Sequence, residues 1–138
     1  VDWVRCTHPP QPLTAGLYLP DRPMNEHLAA ASDIISFHCY EPVERLEALI
    51  ARLRRHERGL ICTEYMARTM GSDFRAHLPV YERERIGCYN WGLVNGKTQT
   101  HIAWTGESSR WFHDIYHADG TPYDADEVAF IREMTATP

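Results

Sequence analysis

The sequence has no basic block, no long apolar run and no closely spaced cysteine pair. Its formal net charge is −5 at pH 7, so nothing in it is suited to neutralise a phosphate backbone or an anionic bilayer. That argues against nucleic acid and membrane as partners. The one basic cluster, Arg52, Arg54, Arg55 and Arg58, falls at a predicted helix end, where it complements the helix dipole. No stretch approaches the roughly 18 apolar residues of a spanning helix, and no signal peptide opens the chain. The four cysteines contain no CxxC pair and so fit neither a disulfide scaffold nor a zinc module. Cys39, Cys62 and Cys88 each fall in a predicted strand. They read as buried free thiols, which leans towards a reducing, cytoplasmic-type compartment. A Gly-rich phosphate turn is also missing, which disfavours a doubly wound nucleotide-binding sheet. There is no HExxH motif. His113 and His117 stand four apart on a predicted helix without a third ligand, so no metal site is expected.

What is present is an ordinary globular composition, 43% hydrophobic over 138 residues, enough for one domain with a core. The chain is organised around Leu60-Ile61-Cys62-Thr63-Glu64-Tyr65. This apolar run of strand length reads as a buried strand ending on a carboxylate. Before it, Leu13–Tyr18 is a short strand candidate, followed by a loop with Pro20, Asp21 and Pro23. A brief helix fits Asn25–Ala31 with Asn25 as its cap, and Asp33–Tyr40 is the next strand. Val43, Leu46, Leu49, Ile50 and Leu53 recur at helical spacing, which predicts a helix over 43–57, with Pro42 in its first turn and Gly59 as its stop. Beyond Glu64 the pattern predicts a helix capped by Ser72 and kinked or split at Pro79. A strand over Ile86–Trp91 and a polar loop from Gly92 to Gly106 follow. The chain closes with helices over Ser108–His117 and about Asp124–Met134. Strands alternating with helices make a parallel sheet. Four such units are half of a (β/α)8 barrel.

Three successive strand candidates end on polar or aromatic groups: His38 and Tyr40, then Glu64, then Tyr89 and Trp91. In a barrel they would share the C-terminal rim, where active sites lie. His38 and Tyr40 are two apart and project to one side of their strand, as do Tyr89 and Trp91. A carboxylate beside a phenol, an imidazole and an indole suits a sugar site, because the indole offers a flat apolar platform to a pyranose. Cys62, two residues before Glu64 and on the same face by strand alternation, could be read as a nucleophile. Its apolar neighbours favour an inert core thiol. Lys97 and Gln99 in the long loop are candidate substrate contacts.

With these motifs in order, the chain resembles the C-terminal half of the clan A glycoside hydrolases, closest to family five cellulase-like and 1,4-β-xylanase-like enzymes. Thr63-Glu64 matches the nucleophilic glutamate that ends the seventh strand there, and His38-Cys39-Tyr40 the His-x-Tyr pair of the sixth. Tyr89-Asn90-Trp91-Gly92 matches the sugar-stacking tryptophan of the eighth, and Gln11-Pro12-Leu13-Thr14-Ala15-Gly16 echoes the fifth. The resemblance implies one partial TIM-barrel domain over residues 1–138, strands five to eight. It also implies a retaining hydrolase of β-O-glycosidic bonds in polysaccharides or oligosaccharides, with no cofactor. Glu64 would be the nucleophile, Tyr40 would hold it ionised, His38 would orient substrate, and Trp91 with Tyr89 would bind the sugar.

The family's acid/base glutamate, which follows an asparagine at the fourth strand's end, has no counterpart here, since Asn25-Glu26 opens a predicted helix. The expected partners are therefore a carbohydrate substrate and a missing N-terminal half-barrel or another half-barrel copy. By itself the chain is expected to be inactive on unactivated glycosides and to aggregate, stay partly molten or pair. Alternative readings are a non-catalytic carbohydrate-binding remnant and a half-barrel of a metal-dependent hydrolase.

Overall fold

A computed structural model describes residues 1–19, 22–104, 106 and 108–136; Pro20 and Asp21 of the predicted loop lie outside them. The elements in chain order are α1 (Asp2–Arg5), α2 (Met24–Ala31), β1 (Ile34–Cys39), α3 (Val43–Leu53), β2 (Gly59–Tyr65), α4 (Phe74–Glu84), β3 (Gly87–Asn90) and α5 (Ala125–Thr135). β1, β2 and β3 form one parallel sheet in that order. The chain is thus a mixed α/β fold with a small parallel sheet.

The apolar stripe of α3, Leu46, Leu49, Ile50 and Leu53, is buried in one core with Ile35 and Phe37 of β1 and Leu60 and Cys62 of β2. From α4, Tyr81 packs edge-on against Tyr65 at 5.0 Å and donates its hydroxyl to Cys62 Sγ at 3.1 Å. The helical layer therefore covers the sheet face that carries Phe37, Cys62 and Tyr65. The opposite face carries Ser36, His38, Ile61, Glu64 and Tyr89.

The face on which Glu64 lies is set by an irregularity. Phe37 pairs with Cys62 but His38 pairs with Glu64, and against β3, Cys62 pairs with Cys88 but Tyr65 with Asn90. Both neighbours see one extra residue in β2 around Thr63. A bulge of this kind reverses the alternation beyond it. Strand alternation puts Cys62 and Glu64 on one face; the bulge instead leaves Cys62 under α4 and turns Glu64 to the side of His38.

Other expectations need correction. The Leu13–Tyr18 strand is reduced to one bridge, Leu17 to Phe37. Beside one backbone bond, Asp33 N–H to Leu13 O at 2.7 Å, side chains hold the rest: Asp33 accepts from the Leu13 N–H at 2.8 Å, Ser32 Oγ from the Ala15 N–H at 3.1 Å, and Thr14 bonds Ser36 at 2.7 Å. Polar side chains thus replace the ladder that would have made a strand. No helix forms over 108–117. Phe112, His113, Asp114 and Ile115 are consecutively buried, which one face of a helix cannot achieve. The segment is held extended by Phe112 N–H to His101 O at 2.9 Å and Ile115 N–H to Leu93 O at 3.0 Å.

The 43–57 helix gives way after Leu53 to a 3₁₀ turn, Arg54–His56, and stops at Glu57 in the left-handed region, φ 55°; Gly59 begins β2. The cap of α4 is Asp73, which accepts from the Ala76 N–H at 2.9 Å. Ser72 is buried instead and bonds Met66 N–H and Cys39 O. α4 runs through Pro79 as one helix. Asn25 lies inside α2 and donates to Leu19 O at 3.0 Å rather than capping.

Candidate functional site

Glu64 is the penultimate residue of β2, and Tyr40 directly follows β1. Tyr40 Oη donates to Glu64 Oε2 at 2.6 Å, and His38 Nδ1 meets the same oxygen at 3.1 Å. Both bonds land on Oε2, so Oε1 is left unclaimed by either. Bonds to a carboxylate are charge-assisted and short. Two of them fix the plane of the group and aim its second oxygen. Tyr40 is buried. Burial first, and then its bond to the Glu64 carboxylate, raise its phenol well above the ordinary range. It therefore stays a neutral donor, the form in which it supports the ionised carboxylate. The register slip in β2 is what makes this triad possible, because without it the carboxylate would face the helices.

The loop after β3 packs two rings around Tyr40. The Trp104 and His113 rings lie 4.9 and 5.6 Å from the Tyr40 ring. His113 is buried and bonds the Met66 carbonyl through Nδ1, which therefore carries the hydrogen, and Nε2 has no hydrogen-bond partner among the described residues. Burial lowers its basicity, so it stays neutral. The loop is anchored from below by Arg68, itself 3% exposed. Arg68 forms a two-pronged pair with Glu127 of α5, with Nε to Oε2 at 3.0 Å and Nη2 to Oε1. It also donates to the carbonyls of Trp111 at 3.2 Å and Asp114 at 3.0 Å. Gly92, φ +86°, makes the turn out of β3; a Cβ there would sit 2.7 Å from Asp114 Oδ1 and 2.8 Å from His113 Cβ.

A cleft of about 320 Å³ opens beside the triad, lined by His38, Tyr40, Tyr18, Trp104, Arg22 and Glu41 among others. Tyr18 stands with its ring 5.8 Å from that of His38. Of the residues expected at the site, the structure brings His38, Tyr40 and Glu64 into direct contact. Trp91 follows β3 on the same rim, donating its N–H to Tyr65 O at 3.0 Å, but its side chain is exposed and does not line the cleft. Tyr89 is exposed on the open face of β3. Lys97 and Gln99 are exposed in the loop, and neither bonds to the triad.

His113 and His117 share no helix; the His117 ring packs on Trp111 at 4.5 Å. Among the described residues no group of three or more His, Cys, Asp or Glu is arranged to hold a metal ion. Burial pushes the Cys62 thiol up to about 12 and Cys39 to about 11, so both stay protonated core groups. Trp104, Tyr18, Arg22 and the Arg68–Glu127 pair escaped the sequence reading. All but Glu127, which is in α5, lie on irregular segments or at a 3₁₀ turn, where no periodicity marks a direction. The place of Trp104 within the polar loop was the one available signal. No family model matches this chain, and no curated protein or solved structure matches it.

Proposed function

We propose that this chain contributes the C-terminal half of a (β/α)8 retaining glycoside hydrolase acting on β-linked polysaccharides or oligosaccharides, with Glu64 as its nucleophile. The observation that carries this reading is the convergence of Tyr40 and His38 on one oxygen of Glu64, at the C-terminal end of a central parallel strand. In the proposed reaction Oε1 of Glu64 attacks the anomeric carbon as the bond to the leaving oxygen breaks. Tyr40 keeps the carboxylate oriented while the electron pair of the broken bond leaves on the departing oxygen, which takes a proton from the acid. Water then hydrolyses the glycosyl-enzyme.

Such a site needs a second carboxyl group about 5–5.5 Å from the first, to protonate the leaving oxygen and later activate water. Among the described residues no second carboxylate is bonded into the triad. Glu41, a carboxylate lining the cleft, instead has Oε1 3.7 Å from Arg45 Nε. The acid is therefore assigned to strands beyond these residues or to another half-barrel copy. The same observation is what favours a second reading, a carbohydrate-binding element that keeps the aromatic walls without turnover.

The two readings part in a barrel completed by fusing this chain to the N-terminal half of a family five hydrolase. Glu64→Ala should abolish turnover of an activated aryl glycoside, and added azide should restore part of it with inversion at the anomeric carbon. Unchanged turnover in Glu64→Ala would remove Glu64 from the chemistry. Binding without Glu64-dependent turnover in the wild-type fusion would establish the second reading.

A further inference from the structure

We propose that the cleft beside Glu64 takes a sugar ring bearing a carboxylate, a uronic acid, with Trp104 and Tyr18 against its faces and Arg22 on its charge. This rests on the reading of Glu64 as a glycosidase centre and names the substrate class of that site. The cleft lies at the small end of the range for ligand sites, roughly 300–1,000 Å³, and so suits a single ring. Two of its walls are large aromatics left half open to solvent, Trp104 at 54% and Tyr18 at 49%. Trp104 is nevertheless fixed, edge-on to Tyr40 and to Phe112, each at 4.9 Å. A held but uncovered indole offers a flat apolar surface that the chain itself does not bury.

The charges in the cleft are unequal. Glu41 has its own cation, Arg45. Arg22 reaches the cleft with its guanidinium in no hydrogen bond or ion pair to any described residue. A guanidinium presents a planar fork that matches a carboxylate bidentately. Stacking walls and one open cation together describe a ring carrying a carboxylate.

The test is calorimetric titration of the whole chain with a neutral β-linked xylo-oligosaccharide and with the same oligosaccharide bearing one glucuronic acid. Wild type, Arg22→Ala and Arg22→Lys are compared, each with its circular dichroism checked against wild type. A charge-assisted pair predicts that the acidic ligand binds roughly tenfold tighter or more. Arg22→Ala should bring it down to the affinity of the neutral ligand, and Arg22→Lys should keep part of the preference. Equal affinity for both ligands in wild type, or a preference that survives Arg22→Ala, overturns the uronic acid assignment and leaves the glycosidase reading standing. Binding of neither ligand also overturns the uronic acid assignment, while Glu64-dependent turnover in the fused barrel tests the glycosidase reading separately.

Discussion

Glu64 is held through one oxygen and offered through the other, and that division sets what each neighbour is expected to do. Tyr40 and His38 both reach Oε2, so removing either loosens the carboxylate without removing the proposed nucleophile. In the fused barrel, Tyr40→Phe should lower kcat/KM for an activated aryl glycoside by about 10–100-fold, the worth of one bond to a charged group. Glu64→Gln should lose essentially all turnover, since an amide keeps the shape but cannot attack. Equal activity in Tyr40→Phe would show that its 2.6 Å bond to Glu64 is structural. His38 and Tyr40 were legible because a two-residue spacing on a strand fixes a shared side. Trp104 was not, because in an irregular loop no spacing says where an indole will point.

At the scale of elements, the alternation of apolar runs and amphipathic segments was enough to order three parallel strands and the helices between them. It could not show the extra residue near Thr63. A bulge leaves no compositional mark, and period-two counting across it puts Cys62 and Glu64 on one face. The 108–117 segment failed for a related reason: its polar and apolar residues admit a helix, but its consecutive burial depends on partners remote in sequence.

One of those partners is the Arg68–Glu127 pair, which ties α5 to the carbonyls of Trp111 and Asp114. Its two side chains are 1% and 9% exposed. Breaking a buried pair leaves one charge stranded, so Arg68→Met should cost about 3–5 kcal/mol. Arg68→Met with Glu127→Leu should recover much of that loss. Urea denaturation of the two variants checks both halves of the expectation. A single variant within the error of wild type would show that the loop is held by its backbone bonds alone.

For the whole molecule, stability should depend on pH through two histidines enclosed in the neutral state. His77 is fully buried, stacked on Tyr65 and bonded to the Glu41 carbonyl, and His113 is 1% exposed. Burial is the leading cause that lowers both below the ordinary value of 6.5. Below that value the unfolded chain takes up protons that the folded chain refuses, so folding weakens as pH falls. The contribution is complete above the unfolded value and is lost as pH drops through the lowered folded values. Urea midpoints should therefore fall between about pH 7 and about pH 5. Replacing both histidines with neutral side chains should flatten the slope; an unchanged slope would move its origin to the carboxylates.

The sheet itself leaves His38, Glu64 and Tyr89 on the face away from the helices, where a barrel would place its interior and its reacting groups. Whether Glu64 is a nucleophile there can be asked without a second carboxyl group acting as acid. A fluorosugar with an activated leaving group needs no protonation to depart, and its glycosyl ester is slow to hydrolyse. Incubation followed by peptide mass spectrometry should find one added glycosyl unit, on the peptide containing Glu64, and none in Glu64→Gln. Label on a different residue, or none at concentrations where the sugar binds, would contradict the assignment of Glu64.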